Sequence, residues 1–319
     1  MWQVFTAQKS FAQNPIGHPA ANRAGLHLAR IGLAALMLRL RRLLVNGIGR
    51  TQDQKILARD GVLVIENFLP ADEFARVKAR ALAIQRQADT QDPVPDYQEA
   101  GFGKPHGYAW GFDRCDGGTL NRFYDLDLND AELNLFVQNP RLKRIVRYAA
   151  GSVFNATRFQ LYRLIHGDEH ALADSQRRIH RDTFHSATKL WFSLSEVSAA
   201  HGPFYYGKGT HKLNRNRWAW EYRKSVQASA QNLGGAFRAA EAEVQAQYGR
   251  VPEAVCVPEN TLVIADVFGW HCRGDAVAGS ERLALYASFR PSPFGLPKVP
   301  DLKKVPDLKK APGLKKVPD

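Results

Sequence analysis

His180-Arg181-Asp182-Thr183-Phe184-His185-Ser186-Ala187-Thr188-Lys189-Leu190-Trp191-Phe192-Ser193-Leu194 is the stretch on which the reading of this chain turns. It opens with an imidazole and a carboxylate two positions apart, and on an extended backbone those two side chains point the same way. A second histidine, His271, stands 89 positions beyond Asp182, after the strand-like run Thr261-Leu262-Val263-Ile264-Ala265, and Arg282 follows 11 positions later. Two imidazoles and one carboxylate on one face of a metal leave the opposite positions open, the donor set of non-haem Fe(II) sites. A bare His-x-Asp is common by chance. Its spacing to His271 and Arg282 gives this one weight. His185 is a rival ligand that would overfill the site, and it reads either as a residue of the pocket rim or as plain structure.

The surrounding pattern is mostly β. In Arg282-Leu-Ala-Leu-Tyr-Ala-Ser-Phe-Arg290, alternation puts Arg282, Ala284, Tyr286, Ser288 and Arg290 on one face and Leu283, Leu285 and Phe289 on the other. A guanidinium on an inward face needs a buried anionic partner. The distal carboxylate of a 2-oxo acid, gripped by a planar fork, would be one; Arg273 and Arg290 compete with Arg282 for that role. Residues 155–164 also alternate, with Gln160 and Tyr162 on one face, and these two join Trp191 and Lys189 as candidates for the cosubstrate pocket. Strand patterns recur from Leu190 to Arg290, interrupted by a helix from about Trp218 to Tyr248. Further helices are expected over 23–48, from Pro70 to about Arg86, and over 130–150 with a break at Pro140. Many strands carrying the ligands, with helices segregated outside, predict an α+β chain with a mainly β core, a double-stranded β-helix or cupin-like jelly roll. Residues 88–118, rich in Gly, Pro and aromatics, read as a structured lid or substrate wall.

The formal net charge of +13 is unevenly spread: residues 23–50 hold six Arg and no acid, and 297–319 hold seven Lys against three Asp. The body between them is nearly neutral, which excludes a nucleic-acid channel through the core. Cys115, Cys256 and Cys272 form neither a disulfide framework nor a zinc knuckle, and a reducing, cytoplasmic setting fits. Cys272 next to His271 reads as a packed thiol facing away from the metal. Residues 1–22 look irregular. The apolar run Ile31–Leu38 is too short to span a membrane, so residues 23–48 read either as a helix packed behind the domain with solvated arginines or as a basic amphipathic helix on an anionic membrane face. The tail repeats Lys-Val-Pro-Asp-Leu-Lys-Lys at 298–304 and 304–310, with a degenerate third copy to 316; proline in each unit rules out a coiled coil and leaves a disordered basic tail. The expected organisation is an N-terminal extension over 1–54, a catalytic domain over 55–295 and the tail over 296–319.

The text from His180 through Lys189, Trp191 and Glu196-Val197 to Gly202-Pro203-Phe204-Tyr205-Tyr206-Gly207-Lys208-Gly209-Thr210-His211-Lys212 resembles the phytanoyl-CoA dioxygenase family. Arg59–Leu69 looks like that family's opening strand, and Asn260-Thr261-Leu262 up to His271 like its late strand and distal ligand. The resemblance spans roughly 55–295. It implies iron ligands His180, Asp182 and His271, with Arg282 binding 2-oxoglutarate, and Fe(II), 2-oxoglutarate and O2 as reactants giving succinate and CO2. With Asp182 present a halide has no place on iron, so hydroxylation is the expected outcome. A polar insert at 167–176 borders the region where substrate is expected. The basic termini lean toward a lipid-linked or envelope-linked substrate met at the cytoplasmic membrane face, beside other small molecules; the oligomeric state is not legible. Two other readings stand beside this one. The first is a metal-binding cupin that is not an oxygenase, or an inactive ligand-binding module; the second is an adaptor recruited through its termini.

Overall fold

Alternating strands of this kind bury one face against helices and turn the other inward, and the chain folds accordingly. The structure, a computed structural model, describes residues 2–92, 110–167 and 174–296. Its strands are β1 (Val62–Ile65), β2 (Gly111–Asp116), β3 (Thr119–Asp125), β4 (Phe159–His166), β5 (Thr188–Ser193), β6 (Phe204–Tyr206), β7 (Glu253–Val255), β8 (Thr261–Asp266), β9 (His271–Arg273) and β10 (Glu281–Phe289). Seven form an antiparallel major sheet in the order β1-β8-β5-β10-β4-β3-β2, and three form a minor sheet in the order β7-β6-β9. Trp191, Val263 and Ala265 of the major sheet cluster with Phe204, Tyr206 and Val255 of the minor one, so the two sheets pack face to face. This is the expected jelly roll, an α+β chain with a mainly β core and helices outside.

The helices are α1 (Pro19–Arg23), α2 (Leu26–Asn46), α3 (Gln52–Asp60), α4 (Ala71–Gln91), α5 (Ala131–Val137), α6 (Pro140–Ala150), α7 (Arg215–Ala230) and α8 (Glu241–Tyr248). The outer face of the major sheet, through Leu190, Phe192, Leu262, Ile264, Leu285 and Phe289, shares one apolar core with the helices, including Val77 and Phe136. Phe136 stacks on Phe192 with ring centroids 4.2 Å apart. Each such side chain contributes roughly 1.5–3 kcal/mol by leaving water. Pro140 begins α6 at its first turn behind an Asn139 cap, which explains the expected break there. Gly61 ends α3 at φ 77°, and a Cβ there would meet His211 Nδ1 at 2.3 Å, so both conformation and space demand glycine.

Several boundaries differ from expectation. The helix expected over 218–248 is two, α7 and α8, because Asn232 takes a left-handed conformation (φ 54°) and Gly234-Gly235 follow it. The segment after that break runs extended, and Arg238 bridges to His180. Helix α4 continues five residues past Arg86, and β2 occupies 111–116 of the expected loop. Residues 93–109 and 168–173, which hold most of that loop and of the polar insert, lie outside the described residues, as does the 297–319 repeat.

The N-terminal 22 residues are not irregular throughout: Trp2–Phe5 form a 3-10 turn and Pro19–Arg23 form α1. Phe11 is buried in a cluster with Phe237 and Trp270. Nor are the arginines of α2 all solvated. Arg30 is buried and donates to the carbonyls of Val4, Thr6 and Gln8. Arg41 is buried and donates to those of Ser292 and Gly295. Carbonyl clusters at chain turns leave acceptors that a long guanidinium can satisfy from a distant helix. No helix of the described residues is long and apolar enough to cross a membrane.

Candidate metal centre and cosubstrate pocket

His180 and His271 are joined directly by the backbone. His180 N donates to His271 O at 2.9 Å and His271 N returns to His180 O at 3.1 Å. This antiparallel bridge brings the two rings to 4.4 Å between centroids. Asp182 does not share a strand with His180, as expected from the spacing, but lies in a bend after it, its N–H donating to Val267 O at 3.2 Å. The bend delivers its carboxylate to the same point: one ligand atom each from His180, Asp182 and His271 lies within 4.8 Å of the others.

Hydrogen bonding fixes the chemistry of these atoms. His180 Nδ1 lies 2.7 Å from Arg178 O, and His271 Nδ1 lies 2.9 Å from Gly269 O. A carbonyl only accepts, so both rings carry their proton on Nδ1 and present a lone pair at Nε2. Both Nε2 atoms are buried without a hydrogen-bond partner. They stand 3.5 and 3.6 Å from Asp182 Oδ1, longer than an ordinary hydrogen bond. Three electron-pair donors converging in a buried space repel one another unless a cation lies among them. The donor set therefore fits Fe(II), with the carbonyls orienting the imidazoles as ligands require. Burial, reinforced by His271, pushes His180 down to about 4, keeping it neutral for ligation. Burial would raise the Asp182 carboxyl, but Lys189 at 2.7 Å from Oδ2 holds it well below the usual range. Arg290 reaches the same oxygen at 2.9 Å. Asp182 thus turns Oδ1 to the histidines and Oδ2 to two cations.

A cavity of about 110 Å³ opens beside these ligands, lined by His180 and His271 together with Lys189, Trp191, Tyr162 and Arg282. Arg282 faces it from β10, opposite Leu164 of β4. Burial pushes its guanidinium down to about 10. Its Nε is buried without a partner, and no carboxylate pairs with it among the described residues. Its two competitors are engaged: Arg273 with Asp174 at 2.9 Å and Asn121 at 3.2 Å, and Arg290 with Asp182. Arg282 is the guanidinium left for an anionic cosubstrate, and the pocket fits a 2-oxo acid. Tyr162 is anchored by donating to Asn121 at 2.6 Å, and Trp191 packs on Phe204 with centroids 4.9 Å apart.

Gln160 does not line the cavity. It sits at the start of β4, paired with Asp125, to which its amide donates at 3.2 Å. His185 is buried, has Nδ1 2.9 Å from Ser186 O, and is no part of the ligand group. Burial pushes the Cys272 thiol up to about 11, which keeps it protonated. Asp266 accepts from Ser186 Oγ and Phe268 N as a turn carboxylate, and His211 contacts the carbonyl of Ala58.

Sequence reasoning missed four residues that support the site. Tyr286 and Phe204 complete the aromatic wall; the alternation of β10 already placed Tyr286 beside Arg282. Lys9 donates to Asp182 O at 2.5 Å from a segment with no periodic signal. Arg181, between two ligands, is fully buried on Glu221 of α7.

No curated protein matches the chain in sequence. Among solved structures it is similar to the non-heme alpha ketoglutarate dependent epimerase SnoN from nogalamycin biosynthesis, at 17% identity over 84% of this chain and 93% of that one, TM-score 0.45. It is also similar to HygX from Streptomyces hygroscopicus with nickel and 2-oxoglutarate bound (15%, 76% and 87%, TM-score 0.41) and to EctD from S. alaskensis (14%, 79% and 82%, TM-score 0.43). A sequence model of one family, described as phytanoyl-CoA dioxygenase (PhyH), matches residues 57–252. The chain belongs to the phytanoyl-CoA dioxygenase family.

Proposed function

We propose that the protein is an Fe(II)- and 2-oxoglutarate-dependent dioxygenase that hydroxylates a small-molecule or lipid-linked substrate. The observation that carries this reading is the convergence of two unpartnered Nε2 lone pairs and Asp182 Oδ1 beside the Arg282 guanidinium, whose Nε has no partner and which no carboxylate meets among the described residues. A binding module or a metal cupin without oxygenase activity gains nothing from a buried cation with no acid to meet. When bound, iron and 2-oxoglutarate supply the activation of O2, one oxygen atom entering succinate as CO2 leaves and the other inserting into a substrate C–H bond.

The chain's own residues do the rest. His180, Asp182 and His271 would hold the metal through Nε2, Oδ1 and Nε2. Arg282 binds the distal carboxylate in a fork that fixes the cosubstrate's orientation. Trp191, Phe204 and Tyr286 wall the site with apolar rings that limit water. Lys189 keeps Asp182 ionised.

The test is succinate formation from 2-oxoglutarate in air with added Fe(II), with and without candidate substrates. Fe(II)-dependent succinate, lost with His180→Ala or Asp182→Ala, supports the reading. Full turnover in either variant overturns it.

A further inference from the structure

Behind the major sheet lies a second cavity, of about 710 Å³, which shares none of its lining with the metal pocket. Asp266 marks the separation. Along β8, Val263 and Ala265 point toward the minor sheet, whereas Ile264 joins the core on the helix side, and Asp266 continues that outer face. The cavity lies there, between α2, Tyr148 of α6 and the turn around Lys212.

Its charge is one-sided. Arg39, Arg42, Arg50 and Lys212 line it, and none of the four forms an ion pair among the described residues. Asp266 is the one carboxylate in its lining, and it is already bonded to Ser186 and Phe268. Arg42 and Arg50 even stand over the same Tyr148 ring, at 4.7 and 5.6 Å. Four cations against the single carboxylate in this lining leave an excess of positive charge around the space, and that excess is complementary to a phosphate-type anion.

Much of the remaining lining is apolar, with Ile31, Leu38, Leu43, Ile48 and Leu213, beside the polar His185, Ser186 and His211. Leu43 and Ile48 also stand exposed, 54% and 94%, and with exposed Leu36, Leu40 and Leu44 they continue the apolar lining onto the outside of α2. An apolar strip bordered by Arg39 and Arg50 has the composition of a helix lying in a membrane interface. We propose that this cavity is a headgroup site for an anionic phospholipid, with the outer face of α2 resting on an anionic bilayer. Arg39, Arg50 and Lys212 take the phosphate, Arg42 being held by the carbonyls of Tyr148 and Ala149, and Leu43 and Ile48 meet the acyl chains. The proposal does not rest on the iron chemistry, so either can fail alone.

The experiment is flotation of the full chain with vesicles of phosphatidylcholine, with and without phosphatidylglycerol. Binding is expected to the anionic vesicles only and to weaken with salt. Arg39→Gln with Arg50→Gln changes two exposed side chains, and is expected to weaken partition roughly 30-fold, as for two surface cations. Leu40→Ser with Leu44→Ser is expected to weaken it without altering the salt dependence. Both variants should keep wild-type Fe(II) and 2-oxoglutarate binding. Equal partition to neutral vesicles would overturn the proposal, as would undiminished anionic binding by the arginine variant, which would assign the contact to the basic tail. Saturable stabilisation by soluble glycerol phosphate with no vesicle binding would overturn the bilayer as the source of the anion.

Discussion

Arg181, the residue between the ligands His180 and Asp182, lies fully buried with two guanidinium nitrogens each donating at 2.7 Å to the carboxylate of Glu221. Glu221 also accepts from Arg217 at 3.0 Å and lies 3.1 Å from His27. The ligand-bearing segment is therefore tied to α7 through a buried ion network. Removing one partner of such a pair leaves an uncompensated charge, so Glu221→Ala is expected to cost about 3–5 kcal/mol in denaturant unfolding and to weaken Fe(II) binding with it. A loss of stability with unchanged iron affinity would show that the network holds the helix and not the ligands.

The cations on Asp182 are not equivalent. Lys189 is largely enclosed, at 18% exposure, while Arg290 is 47% exposed. Partners that orient a ligating carboxylate are each worth about 10–100-fold in metal affinity. Lys189→Met is expected to lower Fe(II) affinity within that range, and Arg290→Ala to lower it less, measured by titration under anaerobic conditions. Tighter iron binding by Lys189→Met would mean that the ammonium competes with the metal for the carboxylate instead of orienting it.

Arg282 should matter for the cosubstrate alone. Truncating one member of a buried charge pair costs roughly 2–5 kcal/mol, so Arg282→Ala is expected to raise the 2-oxoglutarate requirement at least about 30-fold while leaving Fe(II) affinity near wild type. Arg282→Lys keeps the charge but not the fork, and should recover only part. Equal damage to iron binding would contradict the division of labour.

Buried histidines outside the ligand set, His166 and His185 among them, give the fold an acid dependence. Burial, helped by Arg282 and Arg273, pushes His166 down to about 3, and burial pushes His185 down to about 4. Unfolded, both titrate near 6.5. The unfolded chain thus binds more protons below that value, so their contribution is complete above about pH 6.5 and is lost as pH falls toward 4 and 3. The metal-free protein should show a denaturation midpoint that drops steadily below pH 6.5, with a shallower drop in His185→Gln. A flat profile between pH 7 and 4 would contradict the burial of these rings.

Much of this was legible because it is local. The alternation of residues 282–290 separated Arg282 and Tyr286 from Leu283, Leu285 and Phe289, and the structure puts the two groups on opposite faces of the major sheet. The spacing of His180, Asp182 and His271 named a ligand set that the backbone bridge then assembles. What was hidden depends on distant pairing. Nothing near Arg181 announces Glu221, and nothing near Lys9 or Phe11 announces contact with the ligand segment or with Phe237. Gln160 shows the opposite failure: its position on the correct strand was legible, but its place at the strand's start beside Asp125 was set by register. The arginines of α2 read as solvated because their acceptors are backbone carbonyls from other segments, which carry no sequence signature.

The central claim is that His180, Asp182, His271 and Arg282 together hold Fe(II) and a 2-oxo acid. The most direct measurement adds Fe(II) and then 2-oxoglutarate to the metal-free protein without oxygen and records the visible spectrum. A weak charge-transfer band on addition of 2-oxoglutarate is predicted, absent in His271→Ala and requiring far more cosubstrate in Arg282→Ala. A folded, iron-loaded protein that gives no band at any 2-oxoglutarate concentration would contradict the account.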